Sequence, residues 1–291
     1  MKETKSRHTL HQIAPHSYWL SPDGTTDRPV LGAIAGQQAT LLVDAGASPN
    51  HAQTMRHETA VHHLPAPAYL ALTHWHWDHI FGTAVFPIPT FAHTETRRRM
   101  VDYSRLDWSD DALDRRVAAG EELAFCRDMI KLELPDRRQL VIRPPDISFT
   151  HGVEVDLGGL TVQITHVGGD HAHDSSVIYV PEDKILFLGD SLYFDIYAPE
   201  ARYTTARLFP LLDQLLQFDA DYYLAGHHTE PITRAELEAE AALLRNIGEI
   251  VEQHGRSSPQ AIHPAVQTIT GQPLTEDHQE YIAAFLAGLP A

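Results

Sequence analysis

Thr73-His74-Trp75-His76-Trp77-Asp78-His79 places four side chains able to ligate metal within six residues. A solvated surface seldom gathers imidazoles and a carboxylate so tightly. No single regular element uses the run well. On a strand, positions 74, 76 and 78 share a face while His79 points to the other. On a helix, His74 and His76 diverge by about 200°, at roughly 3.6 residues per turn. A loop that turns after His76 resolves the conflict, sending His74 and His76 to one metal and Asp78 and His79 to a second. Trp75 and Trp77 then point away from the ligands and read as packing or pocket rim.

Outward from this loop, the chain alternates strands and helices. Two short apolar runs, 30–35 and 39–44, are separated by Gly36-Gln37-Gln38 and read as a hairpin. Ser48 offers an N-cap and Pro49 a first-turn proline for a helix to about Leu64. Residues 68–73 form a buried strand delivering the histidine loop, followed by a helix over 79–86 and a strand over 89–92. The charged stretch 94–145 carries apolar residues at helical spacing (Leu113, Val117, Leu123, Met129), so two helices are expected, over 94–106 and 109–130. This helical insert is a candidate lid. Arg97-Arg98-Arg99 within it reads first as a solvated helix face and second as an anion contact.

A second strand-rich section runs from about Ile147 through 153–157, 160–167, 176–180 and 184–188, with glycine pairs at 158–159 and 168–169 marking turns. A helix over 208–218, a strand over 221–224, a capping box Thr233-Arg234-Ala235-Glu236 and a last helix over 275–286 follow. Pro259 and Pro264 read as loop. The expected division is a main domain over 1–230 and a C-terminal helical extension over 231–291 packed on it, with homo-oligomer contact through that extension as an alternative use. Sheets covered by helices, a layered α/β sandwich, fit this succession.

Composition narrows the partners. The 291 residues contain 22 Lys plus Arg against 39 Asp plus Glu, a formal charge of −17. Such a surface repels phosphate backbones, so nucleic acid is a poor partner and a small-molecule substrate the better one. Cys126 is the only cysteine, which excludes an intrachain disulfide and an all-cysteine zinc site. It reads as core, away from every motif. No stretch is long and apolar enough to span a bilayer, and residues 1–20 lack an apolar leader, so a cytoplasmic protein without a membrane partner is expected. Most of the twenty histidines are ordinary: His8, His11, His51, His57, His62 and His63 sit in polar or amphipathic contexts without ligand spacing.

Three further clusters end predicted strands: Gly168-Gly169-Asp170-His171-Ala172-His173-Asp174-Ser175, Phe187-Leu188-Gly189-Asp190-Ser191 and Leu224-Ala225-Gly226-His227-His228. In a layered α/β protein such loops gather at one edge of the sheets. With these motifs in this order, the chain resembles the metallo-β-lactamase-fold hydrolase superfamily over roughly residues 10 to 230. The resemblance implies a four-layer αββα sandwich with the site at its open edge. It also implies His74, His76 and His171 on a first metal, Asp78, His79 and His227 on a second, and Asp190 between them. His173, His228 and His166 compete for these roles, but the spacing to Ser175 favours His171 and the preceding glycine favours His227. Asp44 and Asp174 are candidate outer partners for ligating imidazoles.

Two divalent ions roughly 3.5–4 Å apart can share a water and lower its pKa toward about 7 while polarising a carbonyl oxygen. Imidazole and carboxylate without thiolate favour zinc, and iron, manganese or cobalt can use the same donors. The expected reaction is attack of metal-bound hydroxide on a small-molecule ester, lactone, thioester or amide, with Asp78 or Asp190 relaying a proton. Tyr193, three residues after Asp190, matches a tyrosine that points into the site of N-acyl homoserine lactonases in this superfamily. That likeness implies a hydrogen bond to the substrate carbonyl; the alternative is a packed aromatic. A true β-lactamase fits less well, because those enzymes usually carry cysteine or serine where Asp190 stands, and the charge disfavours a phosphodiesterase. A glyoxalase-II-like thioesterase stays open. A non-haem iron oxidoreductase of the same fold is the reading from another class.

Overall fold

The structure, a computed structural model, describes residues 8–290; the first seven residues of the expected main domain and the last residue of the expected C-terminal extension lie outside the described residues. Strands β1 (Leu10–Gln12), β2 (Ser17–Leu20), β3 (Leu31–Ala35), β4 (Thr40–Val43), β5 (Pro67–Ala71), β6 (Thr90–His93) and β7 (Ile147–Phe149) form one sheet in that order. Strands β8 (Gly152–Asp156), β9 (Thr161–His166), β10 (Ser176–Val180), β11 (Ile185–Gly189), β12 (Tyr222–Ala225) and β13 (Ile232–Thr233) form the other. Both are mixed: β4, β5, β6 and β7 pair in parallel, as do β11 and β12, and the remaining pairs are antiparallel.

Period-two alternation explains the layers. In β11, Ile185 and Phe187 join the apolar layer between the sheets, while Leu186 and Leu188 face the opposite layer. In β4, Leu41 and Val43 face inward between the sheets and Leu42 faces out. Strands buried on both faces read as continuous apolar runs, as these do. The sheets approach closely enough that a Cβ added to Gly32 would lie 2.5 Å from the Phe187 ring, so glycine is required there.

The outer face of the first sheet is covered by α1 (Pro49–Val61) and by the insert helices α3 (Thr94–Tyr103), α4 (Asp110–Ala118) and α5 (Ala124–Glu133). A short helix α2 (Trp77–Ile80) starts inside the histidine loop, with a 3-10 turn over Thr83–Val85 where a longer helix was expected. The second sheet is covered by α6 (Thr205–Gln217), α7 (Arg234–His254), α8 (Ile262–Thr270) and α9 (Glu276–Gly288), whose apolar residues share one core with β10, β11 and β12. The result is helix, sheet, sheet, helix. Ser48 accepts from the His51 amide and Pro49 sits in the first turn of α1, and Thr233 with Glu236 closes the capping box of α7. Among the described residues, no helix is long and apolar enough to cross a membrane.

Several expectations change. The helix expected over 109–130 is two, because Gly120 adopts a φ of 72° just past α4 and stops it. Pro264 lies in the first turn of α8 rather than in a loop, where an amide proton has no intrahelical acceptor anyway. Strands β1 and β2 were not anticipated. His51, expected in a polar or amphipathic context, lies on the buried face of α1, with Nδ1 accepting from the Ala47 amide at 3.3 Å.

Candidate metal centre

The strand ends that open at one edge of the sandwich carry every residue that the sequence singled out as a ligand. Asp44 follows β4, the histidine loop follows β5, His171 lies between β9 and β10, Asp190 follows β11 and His227 follows β12. Backbone bonds tie this edge together: the Ser176 amide donates to the Thr73 carbonyl (2.8 Å), and Gly226 donates to Gly189 (2.9 Å) and accepts from Val30 (2.6 Å).

Two donor sets result. His74, His76 and His171 form one, and Asp78, His79, Asp190 and His227 the other, with the donor atoms of each set within 4.8 Å of one another. Asp190 Oδ2 reaches both, lying 3.5 Å from His171 Nε2, 3.4 Å from His79 Nε2 and 3.3 Å from His227 Nε2. The Nε2 atoms of His74, His76 and His171 and Asp190 Oδ1 are buried without a hydrogen-bond partner, and His79 Nε2 and Asp78 Oδ2, a charge pair 3.1 Å apart, make no hydrogen bond either. So many orphaned polar atoms in one place would be costly to bury. Cations bound there would satisfy them, so the residues fit divalent metal.

The rings are oriented from behind. Asp44, at a left-handed φ of 59°, accepts from the Thr73 amide and hydroxyl and from His79 Nδ1, each at 2.8 Å. With its proton given to Asp44, the Thr73 oxygen accepts from His74 Nδ1 at 3.0 Å. His171 Nδ1 donates to the Phe194 carbonyl at 3.0 Å. Each bond turns the bare Nε2 toward the cluster. Asp174 does not share this work: it accepts from the Thr96 hydroxyl at 2.7 Å and so ties α3 to the His171 loop.

Electrostatics follow burial. Burial first, with neighbouring imidazoles, holds His74 and His76 well below the usual histidine range, and burial lowers His171, so all three present neutral nitrogens. Burial tends to raise Asp78 and Asp190, but His79 and His227 outweigh it and both carboxyls fall below their usual range. The same attraction lifts His79 and His227 against burial.

Tyr193 lines the pocket over the cluster. Its hydroxyl accepts from the His227 amide at 3.2 Å, which leaves its own proton to donate, and burial, with Asp190 nearby, raises it above the usual phenol range. Trp77 is buried in the core, while Trp75 packs on the rings of Tyr103 and Tyr197 with the Arg99 guanidinium 5.1 Å from its centre. His166 stacks on His93 at 4.1 Å and donates to the His173 carbonyl, and His173 and His228 are exposed. None of the three enters either donor set. Cys126 is buried, as expected of core, but it lines the site pocket rather than lying away from the motifs, and burial raises its thiol above the usual range. Sequence reasoning missed Asp27, whose carboxylate also lines the pocket and which burial, then Asp78, raises to about 7. Its setting, Pro22-Asp23-Gly24-Thr25-Thr26-Asp27, reads only as a turn.

Asp174 yields a pH prediction. Burial raises its carboxyl to about 6, so the native state keeps a proton that the unfolded chain releases near pH 4. Its stabilising contribution is complete below about pH 4 and lost as pH rises through 6, at about 1.4 kcal/mol for each pH step between those two values. Asp174→Asn, neutral throughout, will therefore gain stability relative to wild type between pH 4 and pH 7. Urea melts across that range check it; a pH-independent difference contradicts it.

A family model described as the metallo-beta-lactamase superfamily matches residues 30–227. No curated protein matches in sequence. Among solved structures, a beta-lactamase domain protein from Burkholderia ambifaria is similar with a TM-score of 0.61 at 16% identity, covering 99% of this chain and 88% of that one. A metallo-beta-lactamase family protein from Thermus thermophilus gives 0.58 at 19%, covering 96% and 93%. A metallo-beta-lactamase from Pontibacter korlensis gives 0.57 at 17%, covering 82% and 99%. At these identities the likeness concerns the fold.

Proposed function

Since the chain belongs to the metallo-beta-lactamase superfamily, we propose that it is a binuclear metal-dependent hydrolase that cleaves an ester, lactone, thioester or amide bond in a small molecule. One observation carries the reading: seven buried or half-buried donors converge in two sets, and a single carboxylate, Asp190, reaches both. His74, His76 and His171 would hold one ion, Asp78, His79 and His227 the other, with Asp190 shared. The donors, nitrogen and oxygen without sulfur, suit zinc, and iron or manganese can use them. When bound, such a pair supplies Lewis acidity and an activated water.

The chain's own residues supply the rest. Asp78 and Asp190, kept ionised, can take a proton from water and pass it to a leaving group. Tyr193, kept protonated, can donate to the substrate carbonyl as negative charge develops there. The cavity above the cluster holds about 170 Å³, room for a small acyl group. Phe125 and Cys126 of α5 close one wall and Ile196 and Tyr197 another, which supports a lid role for the insert. Among the described residues, no Lys or Arg lines this cavity, while Asp27 does. A neutral acyl compound is therefore preferred over a phosphodiester or a carboxylate-bearing lactam. A cytoplasmic setting fits the single buried thiol.

A panel of lactone, thioester, nitrocefin-type lactam and phosphodiester, run with elemental analysis of the purified protein, tests the reading. Turnover of neutral acyl compounds with two metals per chain is expected. Iron with oxygen consumption and no hydrolysis would favour the oxidoreductase instead. Tyr193→Phe should lower kcat roughly 10²-fold with little change in KM, the size seen when one oxyanion donor is removed. An unchanged kcat would return Tyr193 to packing.

A further inference from the structure

Asp27 and Asp44 are both left-handed aspartates with a φ of 59°, and they stand in parallel relation to the two histidines of the second donor set. His79 turns Nε2 toward Asp78 and Asp190 and Nδ1 toward Asp44. His227 turns Nε2 toward Asp78 and Asp190, each at 3.3 Å, and Nδ1 toward Asp27 Oδ1 at 3.6 Å. Asp44 sits at a strand end of the sandwich, whereas Asp27 comes from the turn between β2 and β3. That turn is anchored twice. Asp23 and Arg28 exchange backbone bonds of 2.9 and 3.0 Å across it. The Arg28 guanidinium then grips the buried Glu133 carboxylate at the end of α5, with Nε 2.9 Å from both oxygens and a terminal nitrogen at 2.8 Å.

We infer that Asp27 is a positioning residue for the second metal, holding the His227 ring through Nδ1 so that Nε2 faces the shared Asp190. The Arg28–Glu133 pair fixes the turn that presents Asp27, so the helix that walls the substrate cavity also sets one metal ligand. This rests on the metal-hydrolase reading above. Outer partners of ligating imidazoles affect metal affinity by about 10–100-fold, and that range sets the expected effect.

The left-handed backbone provides a control. Glycine adopts a φ of 59° without strain, so Asp27→Gly removes the carboxylate while leaving the turn at least as comfortable. Chelator-stripped full-length protein is titrated with zinc by calorimetry, and its melting temperature is measured without metal. Wild type takes two ions. Asp27→Gly should bind the second about 10–100-fold more weakly, keep the first and melt no lower. Asp27→Asn, which keeps an oxygen facing Nδ1 without the charge, should fall between. Unchanged binding of the second ion in Asp27→Gly overturns the inference, and so does equal weakening of both ions together with a lower melting temperature. Wild type binding fewer than two ions brings down the underlying metal reading itself.

Discussion

Asp190→Ala is expected to abolish measurable turnover, lowering kcat/KM by at least roughly 10³-fold, and to reduce bound metal from two ions per chain to one or fewer. The reason lies in a single oxygen. Asp190 Oδ2 is within 3.5 Å of the Nε2 atoms of His171, His79 and His227, so its loss opens both donor sets at once. A metal contributes several kcal/mol to stabilising developing charge, and each 1.36 kcal/mol is about tenfold in rate. Without the carboxylate, His79 and His227 keep Asp78 as a shared partner, so the fold should survive. Steady-state kinetics and metal analysis of the purified variant decide it. Activity within tenfold of wild type would rule out the bridging role.

Gly226→Ala should cause a smaller loss of the same kind without removing any ligand. A Cβ at this position would lie 2.0 Å from Asp190 Oδ1 and 3.4 Å from the His79 ring. The backbone cannot yield easily, because Gly226 donates to Gly189 and accepts from Val30. The carboxylate must therefore move. Misplacement of a catalytic group by about 1 Å can cost roughly 10²-fold in rate, and the crowding should destabilise the fold by about 1–3 kcal/mol. The expected variant is folded, melts somewhat lower and binds metal weakly. Full activity would mean that Asp190 need not stand where the structure puts it.

The ligand candidates could be read in sequence because each ends a buried strand in a short loop. The apolar runs of β4, β10, β11 and β12 announce themselves, and His, Asp and Gly at their ends are unusual enough to notice. The edge strand β1 could not be read, since Leu10-His11-Gln12 buries one residue of three and leaves no alternation to detect. The break between α4 and α5 hinged on Gly120, which a periodic apolar pattern passes over. Outer partners divided in the same way. Asp44 follows a strand that leads to the site. Asp174, next to the His171 loop in sequence, faces Thr96 instead, because loop direction is set by packing against α3. Asp27 was invisible: its turn meets His227, two hundred residues later in the chain, only through the pairing of β2 with β3 and the grip of Arg28 on Glu133.

The proposed chemistry requires two cations lodged side by side among these donors. Anomalous diffraction from crystals grown with zinc measures that directly. Two peaks per chain are predicted, one enclosed by His74, His76 and His171 and one by Asp78, His79 and His227, with the Asp190 carboxylate between them. A lone peak, or peaks outside these side chains, would contradict it.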